Sequence, residues 1–230
     1  MIWGIFILFT IPAPPSPTAF QASRAQQYAV YRAHEILPES LRNLVKRHGK
    51  FLFEGLDRGL SVPFSEISEA KILSETRKIT SLVNEQANFR SVVQQMGYVS
   101  GLVAIFTDPS RNRSGSIHKG FHFYLDKKLK RFLFVFDGYS PSLPAVDNLM
   151  PTLEELSHLR FLYGDILEKN YAEVGQNPMY LFDERSGVFG VCSNYFSNLA
   201  RTSAHLWYHA WKDANGDMTQ TPFLKKNLVR

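Results

Sequence analysis

Between Ser65 and Phe106 apolar residues recur at helical spacing almost without a breaker. So long a periodic stretch is buried only as helix, either as one long helix or as two that meet near Asn84. That puts a helical bundle at the centre of the fold. Other segments keep the same period. Tyr28, Tyr31, Ala33 and Ile36 mark a helix over 27–37, and Pro38 opens a second, PESLRNLVKRH, at a position where proline is tolerated. Gly55, Gly59 and Pro63 read as a loop. Helical patterns return over 118–131, over 152–174, where TLEE is close to a capping box, and over 193–214, which stops at Asn215 and Gly216. The run RFLFVFDGYSPSLP, 131–144, is aromatic and β-branched between turn formers and reads as a short strand or an extended covering segment. The expected architecture is an all-α, multi-helix single domain.

At 230 residues, 44% of them apolar, the chain suffices for one well-buried core and is too short for two large domains. Cys192 is the only cysteine, so no intrachain disulfide forms and the core must hold the fold. The net charge of +5 is dispersed, with one dense run, KKLKR at 127–131, and selects no class of partner. Near the start, an apolar run from Ile2 to Ile11 meets Pro12, Pro14, Pro15 and Pro17. A spanning helix needs roughly 20 apolar residues, so these prolines forbid one. Residues 1–19 therefore read as a secretory signal peptide, although a basic leading region is missing. This leaves 20–216 as the mature domain without a transmembrane span, 217–230 as a loosely ordered tail, and a secreted or periplasmic location as the expectation.

The better-known catalytic signatures are missing: there is no nucleophile elbow, glycine-rich phosphate loop, Cys-x-x-Cys pair or His-Glu-x-x-His motif. Asp137, Asp183 and Glu184 are acids with apolar neighbours and read as turn or cap residues. Asn112-Arg113-Ser114 is a glycosylation acceptor only in a eukaryotic secretory pathway. Two histidine pairs stand four residues apart, His118 with His122 and His205 with His209. On a helix that spacing brings two imidazoles to one face, where they can chelate a single transition metal. Flanking aromatics assign the second pair to packing.

Several segments, FQASRAQQYAVYRAHEILP (Phe20–Pro38), GYVSGLVAIFTDPSR (Gly97–Arg111), HKGFHFYLD (His118–Asp126) and LARTSAHLWYHAWKDANG (Leu199–Gly216), together resemble the zinc-dependent phospholipase C and single-strand-specific nuclease superfamily. The resemblance implies an all-α fold around a three-zinc cluster. Where the family reads Gly-x-x-x-His-x-x-x-Asp-x-x-x-Pro-x-His, this chain keeps Gly97 and Pro109 and has Gly101, Ile105 and Arg111 at the ligand positions. Phe20 stands for the family's metal-binding N-terminal Trp, Ala25 or Gln26 for the following His, and the family's Pro-Asp is absent, with only Asp57 nearby. In HKGFHFYLD, which resembles His-x-x-x-Glu-x-Tyr-x-Asp, His118 falls on a ligand position and His122 replaces the Glu. Trp207, Tyr208, Ala210 and Trp211 fit the closing helix of bacterial members.

Gly and Ile cannot coordinate a metal, and Arg repels one. Among the family's positions only His118 and His122 keep side chains that bind metal, while Arg111 could hold an anion. The implied function is an exported, non-catalytic relative that serves as a binding or structural module, with no cofactor and with a protein or a phosphate-containing ligand as partner. The alternative is a metal-dependent phosphodiester hydrolase, phospholipase C or nuclease-like, with a reduced site and zinc as its cofactor.

Overall fold

Five helix starts in this chain follow a common chemistry. Ser23, Ser68, Asn88, Ser114 and Ser186 each turn a side-chain oxygen onto a backbone N–H in the first turn of the helix that follows, satisfying a donor the helix itself cannot. At Ser23 the arrangement is reciprocal, because Gln26 bonds back to the Ser23 N–H at 3.0 Å. The computed structural model describes residues 22–139, 146–174 and 182–223. Its helices are α1 (Arg24–Arg32), α2 (Glu39–Arg47), α3 (Gly49–Leu60), α4 (Glu69–Asn84), α5 (Phe89–Phe106), α6 (Gly115–Lys128), α7 (Met150–Val174) and α8 (Gly187–Asp213). Short 3-10 turns join several of them, and no strand occurs among the described residues.

The fold is all-α, as expected. The long periodic stretch is two helices, and the break falls after Asn84, where Gln86 takes a left-handed φ of 54°. α5 is the axis of the core, buried without interruption from Val99 to Phe106. α8 crosses it and is fastened by the Trp207 indole, which donates to the Met96 carbonyl at 3.0 Å, and by the Tyr195 hydroxyl, which donates to the Ala104 carbonyl at 3.1 Å.

Gly55 and Gly59, read from sequence as loop punctuation, lie inside α3. They face Gly97 and Gly101 of α5 so closely that an added Cβ would stand 2.0 Å from the Gln94 carbonyl at Gly55, 2.0 Å from the Leu52 carbonyl at Gly97 and 2.5 Å from the Leu56 carbonyl at Gly101. Glycine is required there because two helix backbones touch. Thr152 sits inside α7, which begins at Met150, so TLEE is not a capping box. α8 starts at Gly187, earlier than the aromatic pattern indicated.

The segment 132–138 is extended rather than a ladder strand, and it lays Phe132, Phe134 and Phe136 over α8. Beyond α8, the Asp217 carbonyl accepts from Ser40 Oγ at 2.8 Å and from the Trp211 indole at 3.0 Å, tying the first part of the tail down. Residues 1–19 and Phe20 lie outside the described residues, as do 140–145, 175–181 and 224–230. Among the described residues no helix is long and apolar enough to cross a membrane.

Candidate functional site

α5 ends at Phe106 and the chain turns through Thr107, Asp108, Pro109 and Ser110 before α6 begins. Asp108 shapes this turn itself: its Oδ1 accepts the Ser110 N–H at 2.8 Å and the Ser110 hydroxyl at 2.6 Å. The turn carries Asp108 back over the first two turns of α6, where His118 and His122 share a face. His122 Nε2 donates to Asp108 Oδ2 at 3.0 Å, and His118 Nδ1 lies 3.7 Å from the same oxygen. Ser110 Oγ also meets His118 Nδ1 at 2.8 Å. A hydroxyl has one proton, and the shorter contact gives it to the carboxylate, so the imidazole donates to Ser110. Ser110 is fully buried, which removes it as a nucleophile.

Asp108, His118 and His122 can thus each offer a ligand atom within 4.8 Å of the others. Asp108 is 3% exposed. Burial pushes its carboxyl up, but the electrostatic pull and hydrogen bond of His122, the Ser110 bond and His118 outweigh this and hold it below the usual range. Burial lowers the His118 pKa, against the opposing pull of Asp108. An ionised carboxylate beside a neutral imidazole is the protonation state a metal requires. One carboxylate with two imidazoles is also the donor set of many catalytic zinc sites. Two ligands on one zinc with bonds of about 2 Å stand about 3.3 Å apart, so the three, within 4.8 Å of one another, must draw together, and His118, 29% exposed, must turn so that an unprotonated ring nitrogen rather than the Nδ1–H held by Ser110 faces the ion.

The cluster forms one wall of a cavity of about 340 Å³. Leu60 and Ile105 supply its apolar lining, Ser23 and Gln26 come from the start of α1, and Arg111 and Lys119 place two cations on it. Among the residues matching the family's ligand positions, His118 and His122 stand together here, and Arg111 and Ile105 line the same cavity. Gly101 does not take part, since it faces the α3 backbone. Ala25 is buried, its N–H given to Asp126 at 2.8 Å, while Gln26 reaches the cavity and donates to the Tyr195 hydroxyl at 3.0 Å. Asp57 accepts the Ala22 N–H at 2.8 Å.

Asp108 was absent from the candidates drawn from sequence, which placed an acid's position at Ile105. One signal could have found it: Asp108 ends a stretch from Ser91 onward that contains no other charged residue. An acid so placed is either at the surface or engaged. His205 and His209 lie elsewhere, on α8, with ring centroids 6.3 Å apart among Phe136, Tyr139 and Tyr208. Asp137, Asp183 and Glu184 are exposed and outside the cavity.

No protein-family model matches the chain, and no curated protein does so. Among solved structures it is similar to the crystal structure of the alpha-toxin of Clostridium perfringens from an avian strain, with 10% sequence identity and a TM-score of 0.56. The alignment covers 87% of this chain and 66% of the toxin chain. At that identity the likeness establishes the fold, an all-α phospholipase C-like one.

Proposed function

We propose that this chain is an exported phosphodiester hydrolase of the phospholipase C fold that works with a single divalent metal, zinc in the first instance, held by Asp108, His118 and His122. The observation that carries the reading is the convergence of these three ligand groups on the wall of a cavity that also bears Arg111 and Lys119. The donor set supports it as well. In the family pattern the loop brings an imidazole and the helix an imidazole and a carboxylate; here the loop brings the carboxylate through Asp108 and the helix brings two imidazoles. For this loop and helix alone the donor types are kept, with the loop donor at 108 instead of 111.

A bound divalent ion would supply Lewis acidity toward a phosphoryl oxygen and a more acidic water. The chain's own residues do the rest. Arg111 and Lys119 draw a phosphate into the cavity and offset its charge. Leu60 and Ile105 keep one side of it apolar, which strengthens those charge interactions. Ser110 fixes the Asp108 carboxylate through two hydrogen bonds, so the ligand is oriented before an ion arrives.

A second reading, a non-catalytic binding module for a protein or a phosphate-containing ligand, is favoured by one feature. Both Asp108 oxygens already have donors within the chain, so the cluster is self-consistent without an ion. Metal content by plasma mass spectrometry, with melting temperature before and after chelator, separates the two. Near-stoichiometric metal, a chelator-sensitive melt and metal-dependent release of p-nitrophenol from bis(p-nitrophenyl) phosphate, lost in His118→Ala, are expected. No metal and no turnover with any of several divalent ions would leave the binding module. Export is tested by fractionating cells that express the full chain and sequencing the mature N-terminus, expected near Ala19.

A further inference from the structure

The loop that carries Asp108 has a second face, turned toward α7. There a cavity of about 230 Å³ is lined by Pro109, Arg111, Asn112, Arg113, Arg160 and Phe161. Three arginines around so small a volume repel one another unless negative charge balances them. Arg113 is balanced within the chain: it bonds Asp165 at 2.7 Å and Glu168 at 2.5 Å. Asp108 and Glu69 act on the charge of Arg160 from nearby, but neither gives its Nε or Nη1 a hydrogen bond. The Arg160 guanidinium is held against Phe64 and Phe161, 4.7 and 4.6 Å from the ring centroids. Its Nε and Nη1 are buried with no hydrogen-bond partner among the described residues. Buried donors on a charged group are costly to leave unmade, and a cation fixed between two rings loses little freedom when an acceptor arrives.

We propose that this cavity is an anion-binding site for a phosphate group, with Arg160 as its principal cation and Arg111 shared with the metal-side cavity. Gly164 of α7 lets the loop approach, since a Cβ there would stand 2.6 Å from the Arg113 guanidinium and 2.9 Å from the Pro109 carbonyl. The phosphate could arrive free or as an ester; the guanidinium recognises the same oxygens in both.

The site does not depend on the metal reading, so its test is run on the full mature chain with chelator present. Inorganic phosphate and glycerol phosphate are titrated separately by calorimetry at low ionic strength. Saturable one-to-one binding of either is expected, with the tighter of the two identifying the source. Arg160→Met, which keeps an apolar stem between the rings, should weaken it at least tenfold with an unchanged melting temperature, while Lys50→Met, an exposed lysine that lines neither cavity, should leave it within twofold. Binding that survives Arg160→Met unchanged, or no binding at millimolar phosphate, would overturn the site. Metal binding lost without loss of phosphate binding would overturn the Asp108 cluster alone.

Discussion

His118 and His122 on α6 and His205 and His209 on α8 share one spacing, yet their rings lie in opposite surroundings. The first pair meets edge to face at 4.7 Å, partly open to a cavity, with an ionised carboxylate against it. The second is stacked at 6.3 Å beneath aromatic rings; His209 is 1% exposed and its Nδ1 has no hydrogen-bond partner among the described residues. Burial, with His205 and Lys212 adding to it, drives the His209 pKa down to about 4. Spacing fixes how two imidazoles face each other. A third group and access to water decide whether they can do anything.

Removing that third group gives the largest expected effect. Asp108→Ala should lower zinc affinity at least a thousandfold, about 4 kcal/mol, measured by competition with a chromophoric chelator, whereas His209→Leu should leave it unchanged. Equal losses in both variants would erase the distinction between the pairs. Acid sharpens the contrast from the other side. His209 has a folded pKa below its ordinary value of 6.5, so its contribution to stability is intact above pH 6.5 and is lost as the pH falls toward 4, by at most about 3 kcal/mol. Urea unfolding of the metal-free chain at successive pH values should show this slope, and His209→Leu should flatten most of it. The lowered pKa of His118 acts in the same direction, while the ionised Asp108 stabilises until the pH falls through its own lowered pKa.

A smaller effect tests whether a ligand could be restored where the family has one. Gly101→Ala should cost about 2 kcal/mol, read from denaturant midpoints, because the new Cβ meets the α3 backbone. A neutral outcome would mean that α3 and α5 can separate and that the position is open to a larger side chain. The smallest change is expected from Ser110→Ala, which removes one bond to Asp108 and should weaken zinc about tenfold, about 1.4 kcal/mol.

Legibility from sequence followed the range of the forces involved. Helix periods were readable because they are local, and the break near Asn84 stood as one of two readings of the same stretch. The glycines of α3 were misread, since Gly55 and Gly59 serve a partner helix, and a close crossing is a property of two segments that neither shows alone. Asp108 was passed over for a similar reason: the template set an acid at 105, and only the turn through Pro109 shows that a residue three places on swings back over α6. His118 and His122 were visible as a pair, and their carboxylate was not.

The first helix is anchored by distant parts of the chain. Its Ala25 N–H is accepted by Asp126, 101 residues later, and Gln26 bonds Tyr195, 169 residues later. α1 also packs along α8, the final helix. During synthesis α1 leaves the ribosome before any of these partners exists, so α2 to α5 can associate through neighbours in sequence while α1 waits. The helix that contributes Ser23 and Gln26 to the cavity can therefore be held by all of its partners only after α6 and α8 have been made.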